Sequence, residues 1–358
     1  MIGDGLISVS SVFFVFSLAS FIAFLLHEKT TRNPMIPLQL FTNREFTGSA
    51  LTSLTSNVFL VAVTVLLPTF FTRIQSRSEL IAALLVTPIT VAIFIFSPIS
   101  ALLIKRLGAR IIIAGGFALM FCSYVLFATI NMNNIPIVIA TCAVLGSGYG
   151  IIVGPITVLA ASNFTGDLLT SSQSVIGVIR QIGVVLAVAI YVSCLYSNLS
   201  TARSDSVAFI QSTVQKIDVP HDVQKQIELK AITALDSNSP SEDFSTNHFS
   251  SQEINNMIEG AYQQTLTTYQ STISEQQKQR IHDTVASSVR QQIKKLNRSI
   301  NTAIASIQQY AKSRYTQAFT SLYYFSIPFV AISVCFFILF PRKQQDVKLY
   351  RTTSADSE

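Results

Sequence analysis

The run Ala143-Val-Leu-Gly146-Ser-Gly-Tyr-Gly150-Ile-Ile-Val-Gly154-Pro155-Ile-Thr-Val158 lies within an apolar stretch from Ile135 to Ala160. Gly146, Gly150 and Gly154 recur every fourth residue, so on a helix they form one face that lets a second backbone approach closely, the small-xxx-small device of membrane helices. In a soluble helix each of these glycines costs about 1 kcal/mol relative to alanine. Pro155 removes the hydrogen bond to the Ile151 carbonyl, which is tolerated where neighbouring helices satisfy the freed group. The stretch therefore predicts a membrane helix built to be packed against and able to bend. Packing alone, without a functional part, explains the glycine face equally well. The Gly146, Gly148 and Gly150 pattern is GxGxG inside an apolar span and lacks the strand-to-helix turn of a dinucleotide site.

The rest of the chain agrees with a membrane assignment. Its 358 residues are 49% hydrophobic and 12% charged, with mean hydropathy +0.47, too apolar for an ordinary soluble protein. The formal net charge of +6 is local. Residues 197–317 carry 12 basic and 11 acidic side chains, so most of the surplus lies in the other loops and speaks to topology and not to nucleic acid. Cys122, Cys142, Cys194 and Cys335 all fall in apolar runs, which points to neither a disulfide framework nor a thiolate metal site. His27, His221, His248 and His282 are scattered, and no HExxH, CxxC or P-loop is present, so no enzyme, cofactor or metal reading has a residue to rest on. The first apolar run follows Asp4 with no preceding Lys or Arg, which argues against a cleaved signal peptide.

Apolar stretches near the roughly 20 residues a bilayer requires predict seven spans. They are Gly5 to Leu26, Thr47 to Phe71, Leu80 to Leu103, Ile111 to Ile130, Ile135 to Ala160, Ser172 to Tyr196 and Ala318 to Phe340. Arg180 is the single charge inside them, about eight residues from the expected start of its span. Loops on one side, including Lys29, Arg32, Arg44, Lys105, Arg106, Arg110, Arg342 and Lys343, hold ten Lys and Arg, whereas the opposite short loops hold Arg73 and Arg77. By the positive-inside rule the C-terminus is cytoplasmic and Met1 external, and 197–317 is an extracellular insert. In that insert the segment through Asp236 and Pro240 reads as short helices joined by turns. Farther on, Ile281, Val285, Val289, Ile293, Leu296, Ile300, Ile304 and Ile307 recur at helical spacing, and with no breaker before Ala318 the helix is expected to run into the last span. That stripe fits a hairpin packing on itself or a surface that binds a partner.

Between the third and fourth spans lies Ser97-Pro-Ile-Ser-Ala-Leu-Leu-Ile-Lys-Arg-Leu-Gly-Ala-Arg110, a basic turn. Here the chain resembles the major facilitator superfamily, whose signature loop of the G-x-L-x-D-R-x-G-x-R kind is matched at Arg106, Gly108 and Arg110. Ala101 and Lys105 stand where the pattern has Gly and Asp. Glu28 with Asn33-Pro34-Met-Ile-Pro37-Leu-Gln-Leu-Phe41, Leu67-Pro68, Leu84-Leu-Val-Thr-Pro88, the glycine helix and Arg180-Gln-Ile-Gly183 look, in order, like the C-terminal half of the fourteen-helix drug:proton antiporter branch. Gly150 to Pro155 has the spacing of the antiporter signature, but that signature belongs to the other half, so its role is not carried over. The resemblance implies an all-α membrane fold. Its parts would be a linker helix and loop at 1–46, five bundle helices over 47–196, the insert at 197–317, a last helix at 318–340 and a cytoplasmic tail at 341–358.

The resemblance further implies alternating access by two bundles about a site near the midplane, the partner being an N-terminal transporter half. The spans contain no Asp, Glu or His, so proton coupling is expected to reside outside this bundle. Polar groups at membrane depth are Asn57, Thr141, Ser147, Tyr149, Thr157, Arg180 and Gln181. Of these Asn57, Tyr149, Arg180 and Gln181 are the candidate substrate-path residues, and Gly146, Gly150, Gly154, Pro155 and Gly183 the packing or conformational ones. Asn57 also reads as an interhelical hydrogen-bond donor, Tyr149 as packing with a satisfied hydroxyl, and Arg180 as snorkelling to the head groups. The function expected is proton-coupled export of small amphipathic, drug-like compounds across the cell membrane, with the lipid bilayer as the surrounding partner. A non-transporting receptor or scaffold displaying the insert is the alternative.

Overall fold

In the computed structural model the described residues are 37–217, 221–236, 251–268 and 274–340, with scattered helical residues between 12 and 27. The rest of the expected span Gly5 to Leu26, most of the Glu28 to Phe41 motif, Pro240 and the basic tail after Phe340 lie outside them. Every regular element among the described residues is helical. After a 3-10 turn at Leu38–Thr42 come α1 (Arg44–Arg73), α2 (Glu79–Leu107), α3 (Ala109–Thr129), α4 (Ile135–Leu159), α5 (Asp167–Val214), α6 (His221–Asp236), α7 (Ser251–Thr268) and α8 (Glu275–Val334), with a closing 3-10 turn at Cys335–Leu339. Six of these helices, α1 to α5 and α8, are long and apolar enough to cross a membrane.

Two helices run farther than the apolar pattern marks. α5 does not stop at Tyr196 but continues to Val214, because nothing between Ser197 and Val214 is glycine or proline and the polar residues there are compatible with helix. α8 runs unbroken from Glu275 through Ala318 to Val334 and contains Pro328.

The chain forms two compact units. One comprises Met1–Pro68, Leu80–Cys194 and Thr320–Glu358, the other Thr69–Glu79 and Leu195–Phe319. In the first, α1 and α4 are the inner helices, each with 56% of its most apolar window buried, against 22% for α2. The outward residues Leu80, Leu84, Phe94 and Leu102 of α2, Val185 of α5, and Phe325, Phe329 and Ile332 of α8 are exposed and apolar, as positions turned to lipid or to a neighbouring membrane helix are. Aromatic rings close part of the core: Tyr323 stacks on Phe127 at 5.2 Å and meets Tyr124 edge-on at 6.0 Å, while the Tyr124 hydroxyl donates to the Phe59 carbonyl at 2.7 Å.

At the helix ends carrying Arg44 and Arg110, Arg44 donates to the Ile338 carbonyl at 2.8 Å and Asn163 to Glu45 at 2.7 Å. A small apolar cluster of Leu40, Phe46, Ala50, Ala160, Val175 and Ile176 closes that end.

The second unit is held by an aliphatic core. Ile210 and Val214 of α5, Ile217 of the turn that follows it, Ile227 and Ala231 of α6, and Ile300, Ile304 and Ile307 of α8 pack together. Phe209 stacks on Tyr310 at 4.1 Å, and Arg314 lies 5.3 Å over the same Tyr310 ring while donating to its hydroxyl at 3.0 Å and pairing with Asp205 at 3.7 Å. The stripe read from the sequence is thus the buried side of α8. The bend Thr69–Glu79 belongs to this unit too, with Phe70 edge-on to Phe319 at 5.4 Å.

Candidate functional site

The glycine face of α4 lies against α2. A Cβ built on Gly146 collides with the Ile89 carbonyl oxygen; on Gly150 it falls 3.0 Å from Ile93 Cα, and on Gly154 2.7 Å from the Ser97 carbonyl oxygen and 2.9 Å from Ser100 Oγ. The three contacts on α2 also step by four residues, so the two backbones touch over more than two turns. Ser100 adds a hydroxyl donated to the Ser97 carbonyl at 2.8 Å and to the Gly150 carbonyl at 3.3 Å. The neighbouring Gly148 serves a different face: a Cβ there sits 2.7 Å from the Gly116 carbonyl and 2.9 Å from the Met120 amide nitrogen of α3. Pro155 lies within α4, which continues to Leu159. Helix α4 is therefore clamped on two sides by backbone, a geometry that only glycine permits.

Held in this way, α4 carries Tyr149 toward α1. The Tyr149 hydroxyl donates to Asn57 Oδ1 at 3.1 Å, and Asn57 Nδ2 donates to the Ser53 carbonyl at 2.7 Å. Asn57 is 5% and Tyr149 6% exposed, so the pair is a desolvated polar junction. From the other side comes α5. A Cβ on Gly183 falls 2.7 Å from the Leu54 carbonyl and 3.2 Å from Asn57 Cβ, so the absence of a side chain at 183 is what seats α5 on α1 beside Asn57. Three residues before it is Arg180, half-buried, its charge close enough to act on the Tyr149 phenol and its buried Nε without a partner among the described residues. α5 begins at Asp167, five residues before the expected Ser172, so Arg180 stands thirteen residues, about 20 Å, along its helix.

The structure thus brings Asn57, Tyr149, Arg180 and Gly183 together. Gln181 does not join them: it is exposed, on the side of α5 that carries the exposed Val178 and Val185. Thr141 bonds to the Ile137 carbonyl at 2.8 Å, Ser147 to Val144 at 2.8 Å and Thr157 to Val153 at 2.9 Å, each within its own helix. Arg106, Gly108 and Arg110 lie at the ends of α2 and α3. Arg106 is exposed, Gly108 takes φ 80, and Arg110 sits 5.2 Å over the Phe337 ring.

Sequence reasoning passed over a set of hydroxyls that continues the junction along α1. Ser49, Thr52, Ser53 and Ser56 are at most 2% exposed, and the Ser49 and Thr52 hydroxyls have no partner among the described residues. Their spacing of three, four and seven residues, running into Asn57, was the available signal. Chemically the site offers a fixed cation, a phenol and an amide at membrane depth, suited to holding an anionic or hydrogen-bond-accepting group. Among the described residues no group of three His, Cys, Asp or Glu is placed to hold a metal.

Comparison with known proteins supplies the lineage. The multidrug resistance protein Stp of Mycobacterium tuberculosis is 24% identical over 214 residues, 60% of this chain and 38% of that protein. The multidrug transporter protein MdtP of Bacillus subtilis is 24% identical over 165 residues, 45% and 30% of the two chains. Methyl viologen resistance protein SmvA of Salmonella typhimurium is 30% identical over 101 residues, 28% and 20%. The chain therefore spans less than two fifths of the length of each of these curated relatives. A family model for the Major Facilitator Superfamily matches residues 1–188, a stretch that contains α1 to α4 and the first part of α5 with the whole Asn57–Tyr149–Arg180 junction. This multi-pass membrane protein, built from glycine-clamped helices, belongs to the Major Facilitator Superfamily.

Proposed function

We propose that the first unit is one bundle of a secondary exporter of small amphipathic compounds, and that the junction of Asn57, Tyr149 and Arg180 forms part of the wall of its substrate path. The observation that carries this reading is Arg180: a half-buried guanidinium inside the apolar run of α5, about eight residues or 12 Å past its start, with an Nε that has no partner among the described residues and no carboxylate in any expected span. A cation placed so deep is costly and marks a pathway or a partner. The multidrug names of Stp and MdtP support the substrate class.

In this reading the bundle is the C-terminal half of a fourteen-helix antiporter, preceded by a linker span at Gly5 to Leu26. It works by alternating access against a second bundle that supplies both the opposite wall and the proton-carrying carboxylate. The exposed Gln181 side of α5 faces that second bundle. Residues 197–317 are external and the C-terminus cytoplasmic, which the excess of Lys and Arg on the other set of loops supports.

The deciding experiment is efflux by cells carrying the chain together with a second bundle, with membrane abundance matched. Arg180→Ala should cut efflux of a fluorescent lipophilic compound about a hundredfold, as expected when a buried charge-assisted contact of about 3 kcal/mol is lost. Arg180→Lys should recover only part, because a point charge lacks the planar fork of guanidinium. Unchanged efflux by Arg180→Ala at matched abundance would return the residue to a snorkelling, structural part.

A further inference from the structure

Opposite the isoleucine stripe, the outer face of α8 carries Arg290, Lys294, Lys295 and Arg298. Steps of four from 290 to 294 to 298 align three of them along the helix, and 295 sits one position to the side, so four cations crowd about 12 Å of axis. All four are exposed, and none has an ion-pair partner among the described residues. No carboxylate occurs in the helix after Asp283, although six Lys and Arg do, of which Arg314 is the one engaged with Asp205. Like charges four apart destabilise a helix, and this helix has nothing of its own to relieve them. The described lining of a surface cavity of about 1190 Å³ comes from the same face, with Lys294, Lys295 and Arg298 alongside the amides of Gln291, Asn297 and Asn301. The side-chain oxygen of Asn297 is buried there without a partner among the described residues, and because amide O and N are assigned by their surroundings, turning the amide over would present its NH2 as a donor to an anion.

We propose that this face of α8 is a binding site for a linear, multivalent phosphate anion. Guanidinium forks, ammonium point charges and amide N–H donors in one row match a chain of phosphate oxygens better than they match a lone carboxylate. The source is a soluble anion and not the head groups of the bilayer that holds the last span. Arg298 stands twenty residues, about 30 Å along α8, before Ala318, where the apolar run begins, nearly four Debye lengths of about 8 Å at physiological salt. The site is independent of the transport reading, since every residue in it belongs to the second unit.

The test uses the full chain in phosphatidylcholine nanodiscs, titrated with soluble inorganic polyphosphate at low and at physiological salt. Wild type should bind, more weakly as salt rises. R290Q/K294Q/K295Q/R298Q should bind about tenfold or more weakly with its helical circular dichroism unchanged, since screened attraction of a polyanion scales with the cations it meets. K294Q/K295Q should fall between the two, and K225Q/K230Q, which removes two exposed cations of α6, should bind as wild type does. Absence of binding by wild type, equal binding by the quadruple variant, or equal loss in the α6 variant would each overturn the site. Repeating the titration in discs containing phosphatidylglycerol separates the sources. If anionic lipid displaces polyphosphate from wild type, the face serves head groups and the soluble assignment fails.

Discussion

The two units are built from the same element and held together by opposite means. In the first, helices meet through missing side chains: Gly146, Gly150 and Gly154 bring α4 onto the backbone of α2, Gly148 brings it onto α3, and Gly183 brings α5 onto α1. In the second, helices meet through added ones: Ile210, Ile227, Ile300, Ile304 and Ile307 interlock, and Phe209, Tyr310 and Arg314 form a stack. Lipid tails are as apolar as isoleucine, so burying isoleucine gains little within a bilayer and close backbone contact must supply the attraction. Where water is the alternative, each isoleucine removed from it contributes about 1.5–3 kcal/mol. One polypeptide therefore uses glycine where a reader expects a weak point and isoleucine where a reader expects a core.

The largest effect that would break this contrast is at Gly146. Its Cβ has no room against the Ile89 backbone, and backbone cannot move aside as a side chain can. Gly146→Leu should cost about 4 kcal/mol, at the upper end of overpacking, and should be read as loss of folded protein from the membrane on detergent titration. A stable Gly146→Leu protein would mean that α2 and α4 do not depend on contact. Next is Ile300→Ala at a fully buried position, where about 3 kcal/mol should be lost from the second unit, seen as earlier melting of its helices with the spans unaffected.

Tyr149→Phe removes the hydroxyl that donates to Asn57 Oδ1 and leaves a buried acceptor, at about 1.5 kcal/mol, which sharpens the first unit's side of the comparison by separating polar from steric contact. The smallest change has the other sign. Gly260 lies exposed in α7 with nothing within 4 Å of an added Cβ, so Gly260→Ala should raise the melting point of the second unit through about 0.8 kcal/mol of helix propensity. Glycine in helix is destabilising there and indispensable at 146.

What the sequence could disclose follows from the same physics. The four-residue glycine spacing announces a close helix contact, but Ile89, Ile93 and Ser97 as its other side are visible only once α2 and α4 are placed, because pairing of helices leaves no local trace. The isoleucine stripe from Ile281 to Ile307 is legible as the buried side of a helix, since water imposes a periodicity that can be counted. The extension of α5 to Val214 is not, because a span detected by apolarity ends where polarity begins even though the backbone hydrogen bonds continue. At the candidate site Arg180 is conspicuous as the lone charge in the spans. Its neighbourhood with Tyr149, and the bond from Tyr149 to an asparagine ninety-two positions earlier, belong to tertiary structure alone.

The joint between α2 and α3 has a consequence for handling the molecule. It consists of Gly108 alone, at φ 80, a conformation in which any side chain is strained. A joint of one residue has no slack: the last turn of α2 and the first of α3 are held within a residue of each other and cannot drift apart. An epitope, a protease site or a fluorescent label inserted after Leu107 would uncouple them, whereas the exposed Thr165 and Gly166 between α4 and α5 are free of the packing that holds Ala160 and can take one. Reporters of helix movement belong at the second joint, and the first is better left as glycine.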